Sequence, residues 1–269
     1  MALLEIFDVE HGQCALLTHP NGNRILIDCG HNRSTGFTPG LMLQSRGVTT
    51  LNKLVITNYD EDHVSGFVDL DGRVYIDWLM RNSSVDGNTM YVLKSDTGIG
   101  KNMAHLANRV GAFVRRDGAP HFPGIDEEAY CHPYPTFDDE NNLSLVYVLR
   151  IYGTTVIFPG DIECAGWERL LAREPGLQQA VRDCNLLVAS HHGRESGICD
   201  AMFTWYGCSP NAIVISDDHH QYDTQATTSY YGSKCRGVAF RGARRFVLTT
   251  RHDSDLRFAF SPLAGMSCG

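Results

Sequence analysis

Residues 53–67, KLVITNYDEDHVSGF, constrain the fold more than any other stretch of the chain. The segment opens with an apolar, β-branched run over residues 54–57, which is typical of a strand buried on both faces. A polar cluster follows this run at Asn58, Asp60, Asp62 and His63. Carboxylates crowded beside a histidine repel one another unless a cation lies among them. The pattern predicts a metal site at a strand end; the alternative is a solvated acidic turn.

Length and composition predict one globular domain over residues 1–269. The chain is 43% hydrophobic, which is sufficient for a sizeable core. A proline-rich segment without periodicity at about residues 117–140 is predicted to be a long loop. The sequence shows no signal peptide and no apolar stretch long enough to span a membrane. Nine scattered cysteines without a CxxC pair favour a reducing, cytoplasmic location.

The chain has a formal net charge of −8. This charge argues against a broad electrostatic surface for duplex nucleic acid, although bound divalent cations would offset part of it.

The pattern of a strand followed by polar residues recurs further along the chain. The apolar runs at residues 154–158, 185–189 and 212–216 are each followed by ionisable side chains. These side chains are Asp161, the pair His191 and His192, and the run from Asp217 to His220. Two strand-rich halves interleaved with helices predict an αββα sandwich of two mixed β-sheets with outer helices.

Aspartate and histidine ligands without cysteine suit manganese or zinc, with magnesium as a further candidate. One or two ions fit the number of ligands, and such ions activate water for attack at phosphorus or a carbonyl. Asp161 is suited to bridge two ions, or else it caps the following helix. His191 is predicted to be the better ligand of its pair. For His192 three roles stay open: binding a substrate phosphate, shuttling a proton, or simply hydrogen bonding.

Four ordered motifs resemble the metallo-β-lactamase superfamily, and within it the nuclease-like domain of the bacterial competence protein ComEC. FDVEHGQCALLTHPNGNRILIDCG resembles the opening Asp-Val, Gly-Gln-Gly and Ile-Asp-x-Gly pattern, and VITNYDEDHVSG resembles the His-x-Asp-x-Asp-His-x-x-Gly motif. NNLSLVYVLRIYGTTVIFPGDIE resembles the strand pair that ends in Gly-Asp, and LLVASHHGRES resembles the His-His-Gly-Ser motif.

The resemblance implies metal ligands at five positions, and Asn142 lies near a further ligand position of the family. The five are Asp60, Asp62, His63, Asp161 and His191. Asn58 replaces the first histidine of the motif, and His11 is a candidate to supply the missing imidazole. Thr224 stands where the family's late histidine is expected, and His219 and His220 are the candidates to replace it near the substrate.

The sequence therefore predicts a metal-dependent hydrolase, with Asp62 and His192 as catalytic residues. The predicted activity is that of a phosphodiesterase or nuclease acting on DNA or RNA. One alternative is hydrolysis of a small nucleotide or another phosphoester. A second alternative is a binding or regulatory module that has lost its chemistry through Asn58 and Thr224.

Overall fold

The computed structural model describes residues 1–112, 119–218 and 223–269 of the chain. Short apolar runs form the strands over these residues. In chain order the strands are β1 (Ala2–Ile6), β2 (Ala15–Thr18), β3 (Arg24–Ile27), β4 (Thr50–Leu51), β5 (Lys53–Val55), β6 (Tyr75–Ile76), β7 (Leu79–Met80), β8 (Ile125–Tyr130), β9 (Val146–Ile151), β10 (Thr154–Phe158), β11 (Cys184–Val188), β12 (Ala212–Ile215), β13 (Val238–Phe240), β14 (Ala243–Arg245), β15 (Val247–Thr249), β16 (Leu256–Ser261) and β17 (Gly265–Cys268).

The α-helices are short, and the longest in the described ranges, α5, has nine residues. In chain order they are α1 (Pro39–Ser45), α2 (Glu61–Val64), α3 (Phe67–Arg73), α4 (Gly87–Leu93), α5 (Lys101–Arg109), α6 (Cys164–Leu171), α7 (Pro175–Arg182), α8 (Asp200–Thr204), α9 (Thr228–Gly232) and α10 (Thr250–Asp253). Within the described ranges, none of these helices has the length and apolar character needed to cross a bilayer.

Two large mixed sheets organise the fold. The first has the strand order β17-β16-β1-β2-β3-β5-β7, and the second has the order β15-β12-β11-β10-β9-β8. In the first sheet, β3, β5 and β7 are parallel; in the second, β10, β11, β12 and β15 are parallel. Because parallel strands end at the same edge of a sheet, the polar segments that follow them collect there.

The sheets pack face to face and carry helices on their outer faces. Val55 of the first sheet and Phe158 of the second belong to one buried cluster between the sheets. Leu54, the neighbour of Val55, faces the opposite way and packs in a cluster with Leu70 of α3. The outer face of the second sheet packs against Trp167 of α6. The predicted αββα sandwich of two mixed sheets is confirmed.

The predicted loop at about residues 117–140 is wrong in part, because residues 125–130 form β8 at the edge of the second sheet. This strand carries three acidic residues, and two of them are paired with side chains distant in sequence. Glu127 accepts hydrogen bonds at 2.7 Å from the buried ammonium of Lys53, and Glu128 accepts one at 3.0 Å from Arg150. Strands are predicted from alternating apolar residues, and this acidic strand has no such alternation. Its charged side chains are stabilised by partners that the local sequence does not reveal.

Leu256 and Leu263 provide a matched test of the core. Leu256 on β16 is fully buried between the sheets, whereas Leu263, in the turn after β16, is 99% exposed. Leu256→Ala is expected to lower the free energy of unfolding by about 3 kcal/mol, because it removes buried methyl groups and leaves a cavity. Leu263→Ala should change it by less than about 0.5 kcal/mol. Denaturant titration of both variants measures the difference, and equal losses would contradict this core.

Candidate metal centre

Asp62, His63, Asp161 and His192 converge where the two sheets meet, and we call them the four-residue cluster. Asp62 and His63 lie on α2, which begins soon after β5; Asp161 follows β10, and His192 lies in a 3-10 turn after β11. One ligand atom of each side chain lies within 4.8 Å of those of the other three. Each sheet therefore supplies two members of the cluster.

The backbone around His192 adopts an unusual conformation. His191 and His192 have φ values of 50° and 52°, and Gly193 continues the turn with a φ of 77°. The left-handed region is unfavourable for residues with a Cβ, and such strain is concentrated at functional sites. This turn directs the imidazole of His192 into the cluster and leaves the imidazole of His191 outside it.

His192 has a nitrogen suited to bind a cation. Its Nδ1 donates a hydrogen bond to the Ser216 carbonyl at 2.9 Å. Its Nε2 lies 3.2 Å from an Asp62 oxygen and 3.5 Å from an Asp161 oxygen, yet it is buried without a hydrogen-bond partner in the described residues. Burial lowers the pKa of His192, but the two carboxylates outweigh it and raise the pKa to about 10. The cluster therefore favours a positive charge at this nitrogen.

His63 lies between two buried carboxylates. Its Nδ1 is 2.9 Å from Asp28, and its Nε2 is 2.9 Å from Asp161. Asp28 is also held in place, because it accepts hydrogen bonds from the backbone N–H and the hydroxyl of Thr57. A carboxylate behind a ligating histidine fixes the orientation of the ring and increases its basicity. Asp28 therefore positions His63 for a ligand on its Nε2 side.

The carboxylates of the cluster are ionised. Burial raises the pKa of Asp62 and of Asp161, but in both cases the neighbouring imidazoles outweigh burial. As a result the pKa of Asp62 falls to about 2, and that of Asp161 falls well below its ordinary value.

The donor set fits a divalent metal ion. Two imidazole nitrogens and two carboxylate oxygens suit zinc, manganese or iron better than magnesium or calcium, which prefer oxygen ligands. A cavity of about 10 Å³ borders His63, Asp161 and His192, which is about the space that one water molecule requires. The position of the His192 Nε2 supports the same assignment, because it faces oxygens of both Asp62 and Asp161, and an ion could be held among the three.

Asn58 and Asp60, both predicted as metal ligands, lie outside the four-residue cluster. Asn58 donates to the Ser144 hydroxyl at 2.9 Å, and its side-chain oxygen accepts the backbone N–H of Asp60 at 2.6 Å. The Asp60 carboxylate forms an ion pair with Lys94, which also pairs with Glu140. In the structure these groups are therefore engaged in protein contacts.

Asn142 and His191 also have other contacts. The side-chain oxygen of Asn142 accepts the backbone N–H of Gly166 at 3.0 Å, in the first turn of α6. His191 Nδ1 lies 2.8 Å from the Ser196 hydroxyl, and its Nε2 lies 3.5 Å from the guanidinium of Arg194. Their metal-binding roles stay predictions, which the structure does not favour.

His219 and His220, predicted to bind substrate, lie outside the described residues. His11, the candidate for the missing imidazole, lies beside the cluster: its Nε2 is 3.4 Å from an Asp62 oxygen. Its ring centroid is 4.4 Å from that of His192. Burial and the neighbouring His192 lower the pKa of His11 to about 4, so this ring is neutral near pH 7.

Four residues near the cluster were not among the predicted site residues: Gln13, Asp28, Lys94 and Arg194. Asp28 follows the apolar strand β3, so the strand-end pattern that pointed to Asp161 was also present there. Arg194 directly follows the His-His-Gly stretch, in the motif where the family has serine. Lys94 reaches the site only through its tertiary contact with Asp60, and no sequence pattern marks it.

A model of the metallo-β-lactamase superfamily matches residues 8–228, a span that contains the whole four-residue cluster. The chain belongs to the metallo-β-lactamase superfamily. The superfamily resemblance is thereby confirmed, whereas the ComEC-like subtype stays a prediction. This superfamily consists of metal-dependent hydrolases, and the cluster is a candidate metal site of the kind that such enzymes need.

Several solved structures are similar in fold to this chain, among them the following three. A protein described as a zinc-dependent hydrolase of this superfamily from Thermotoga maritima is 11% identical, with 91% of this chain and 97% of that one covered and a TM-score of 0.44. The diiron β-hydroxylase CmlA from Streptomyces venezuelae is 13% identical, with coverages of 85% and 50% and a TM-score of 0.49. A diphosphatase of the PhnP family is 12% identical, with coverages of 97% and 98% and a TM-score of 0.45. Likenesses this weak identify neither a substrate nor a reaction. No curated protein matches the chain.

The adjacent histidines allow a matched test of the metal site. His192→Ala is expected to abolish binding of Zn²⁺ or Mn²⁺, because it removes one of the buried ligands. His191→Ala should retain the ion, because its imidazole lies outside the four-residue cluster. Elemental analysis after metal loading and desalting measures the metal content of both variants. Loss of metal from the His191 variant together with retention in the His192 variant would reverse the assignment.

Proposed function

We propose that this metallo-β-lactamase superfamily member is a phosphodiesterase that uses one divalent ion to cleave nucleic acid or nucleotides. The observation that carries the proposal is the convergence of two imidazoles and two carboxylates, of which only Asp62 is partly exposed. The Asp62 side chain is 23% exposed, so substrate can approach the cluster from that side.

A single ion is favoured by the position of Lys94. The Lys94 side chain is only 9% exposed, and its ammonium pairs with both Asp60 and Glu140. Burial opposes the charge of the ammonium, but the two carboxylates outweigh it and raise the pKa of Lys94. Lys94 therefore remains positively charged at neutral pH. It supplies part of the compensation that a second metal ion would otherwise give to Asp60, whose pKa burial still raises to about 6 despite the contact with Lys94.

When bound, a divalent ion would polarise a phosphoryl oxygen and increase the acidity of a water molecule. The protein's own side chains would fix the position of this chemistry. Asp28 orients His63, and the Ser216 carbonyl holds the proton of His192 on Nδ1. His192 acts in this proposal as a ligand, rather than as the proton shuttle that the sequence also allowed.

An anionic substrate is favoured by the charge beside the cluster. The guanidinium of Arg194 lies 3.4 Å from the Nε2 of His11 and 3.5 Å from that of His191. Burial lowers the pKa of both histidines, so neither adds a positive charge near pH 7. Arg194 is therefore one cation beside the cluster in the described part of the chain, and guanidinium groups bind phosphate oxygens in pairs.

Small nucleotides are the second candidate class of substrate. The net charge of −8 disfavours long-range attraction of a polyanion, whereas a short substrate needs only the local field of Arg194 and the ion. Turnover of plasmid, single-stranded oligonucleotide and cyclic dinucleotide by the Mn²⁺- or Zn²⁺-loaded protein distinguishes the two classes.

Asp161→Asn is expected to lower kcat/KM on any phosphodiester substrate by about a hundredfold or more, because it removes a ligand and a buried charge. The model substrate bis(p-nitrophenyl) phosphate allows a continuous assay. Asp126→Asn is the matched control, since Asp126 is exposed on β8, and it should leave the rate unchanged. An Asp161→Asn variant with the same activity as the wild type would place the chemistry elsewhere. A wild-type protein that cleaves no phosphodiester would refute the proposed function.

A further inference from the structure

Gln13 is a buried polar residue beside the candidate metal centre. It is 4% exposed, and it lines the cavity of about 10 Å³ together with His63, Asp161 and His192. Its Nε2 is buried and has no hydrogen-bond partner among the described residues. Buried donors without partners are rare in folded proteins, because each one destabilises the native state. An unpartnered donor at this place therefore points to a ligand.

The backbone on both sides of Gln13 is fixed. Gly12 has a φ of 145°, and a Cβ at this position would lie 2.5 Å from the carbonyl oxygen of Asp62. The Ser216 hydroxyl donates to the Gly12 carbonyl at 2.8 Å, and the Gly30 N–H donates to the Gln13 carbonyl at 2.9 Å. The loop therefore cannot move away from α2 without breaking these contacts. The backbone that carries the Gln13 side chain is therefore held in place before any ligand arrives.

The neighbours of Gln13 indicate which atom it would bind. The cavity is lined by the metal-binding candidates His63, Asp161 and His192. The polar atoms of these three side chains would contact the ion and one another, so they would not serve as partners for Gln13. An N–H donor beside them requires an acceptor that enters from outside the protein. An oxygen of the group under attack is such an acceptor, and fixed donors aimed at the oxygens of a reacting group stabilise the charge that develops on them.

We propose that the Gln13 side-chain amide donates a hydrogen bond to a non-bridging oxygen of the substrate phosphate at the metal centre. The proposal rests on the phosphodiesterase function proposed above. It assigns to Gln13 the role of a catalytic residue that contacts the substrate. No covalent step involves Gln13, because it only donates a hydrogen bond.

Gln13→Met is the test variant, because methionine is similar in length and carries no donor. Inorganic phosphate is the probe for binding to the metal-loaded protein, measured by calorimetry. We expect the phosphate Kd to rise about tenfold and kcat/KM on bis(p-nitrophenyl) phosphate to fall by about a hundredfold. Metal content should be unchanged, and the Tm of the metal-free variant should rise by about 2 °C, because an unpartnered buried donor is gone.

Thr249→Val is the matched control. The Thr249 hydroxyl is also buried without a partner in the described residues, but it does not line the cavity. Thr249→Val should raise Tm to a similar extent and leave both the phosphate Kd and the activity unchanged. It separates the removal of an unpartnered polar atom in general from the loss of this particular donor.

Equal phosphate affinity of wild type and Gln13→Met would overturn the proposal, and so would failure of the metal-loaded wild type to bind phosphate. A lower Tm together with unchanged phosphate affinity would assign Gln13 to a structural role. If the wild type cleaves no phosphodiester, the proposed function is refuted but the Gln13 contact is not. In that case, phosphate affinity that depends on Gln13 still supports the contact inferred here.

Discussion

The site depends on the compensation of buried charge. Asp28, Asp161 and Asp62 share one region with His63 and His192, and four of these five side chains are almost fully excluded from solvent. Carboxylates buried in this way are stable only when cations or hydrogen-bond donors are within reach. In the protein without an ion, protons on the imidazoles provide that compensation, as the raised pKa values of His63 and His192 indicate. A divalent ion held by the four members of the cluster would provide it more fully.

The αββα fold brings the members of the cluster together from the ends of parallel strands in two sheets. Two local features of the site are unfavourable by themselves: the left-handed backbone of His191 and His192, and the Nε2 of Gln13, which has no hydrogen-bond partner among the described residues. The inter-sheet core and the outer helices maintain these features against their conformational and desolvation costs. Unfavourable local structure of this kind is expected where a ligand completes the contacts.

The sequence was sufficient to predict the sandwich, since the strands are apolar and β-branched and end in turn or ionisable residues. It also pointed to Asp62, His63 and Asp161, which the structure brings together. It favoured His191 over His192 as the ligand, whereas the structure places the His192 imidazole in the cluster. No local pattern reveals this, because the choice is made by the backbone turn and by the carbonyl of Ser216, which follows β12. Likewise, the pairing of Asp60 with Lys94 and the paired charges of β8 join residues far apart in the chain, which no local pattern reveals.

The most direct measurement is X-ray diffraction from crystals of the metal-loaded protein, with anomalous data collected at the absorption edge of zinc or manganese. We expect one strong peak, within about 2.0–2.2 Å of ligand atoms from Asp62, His63, Asp161 and His192. The ammonium of Lys94 should still contact Asp60. A second peak beside Asp60 would contradict the single-ion account, and the absence of any peak at the four-residue cluster would contradict its assignment as a metal centre.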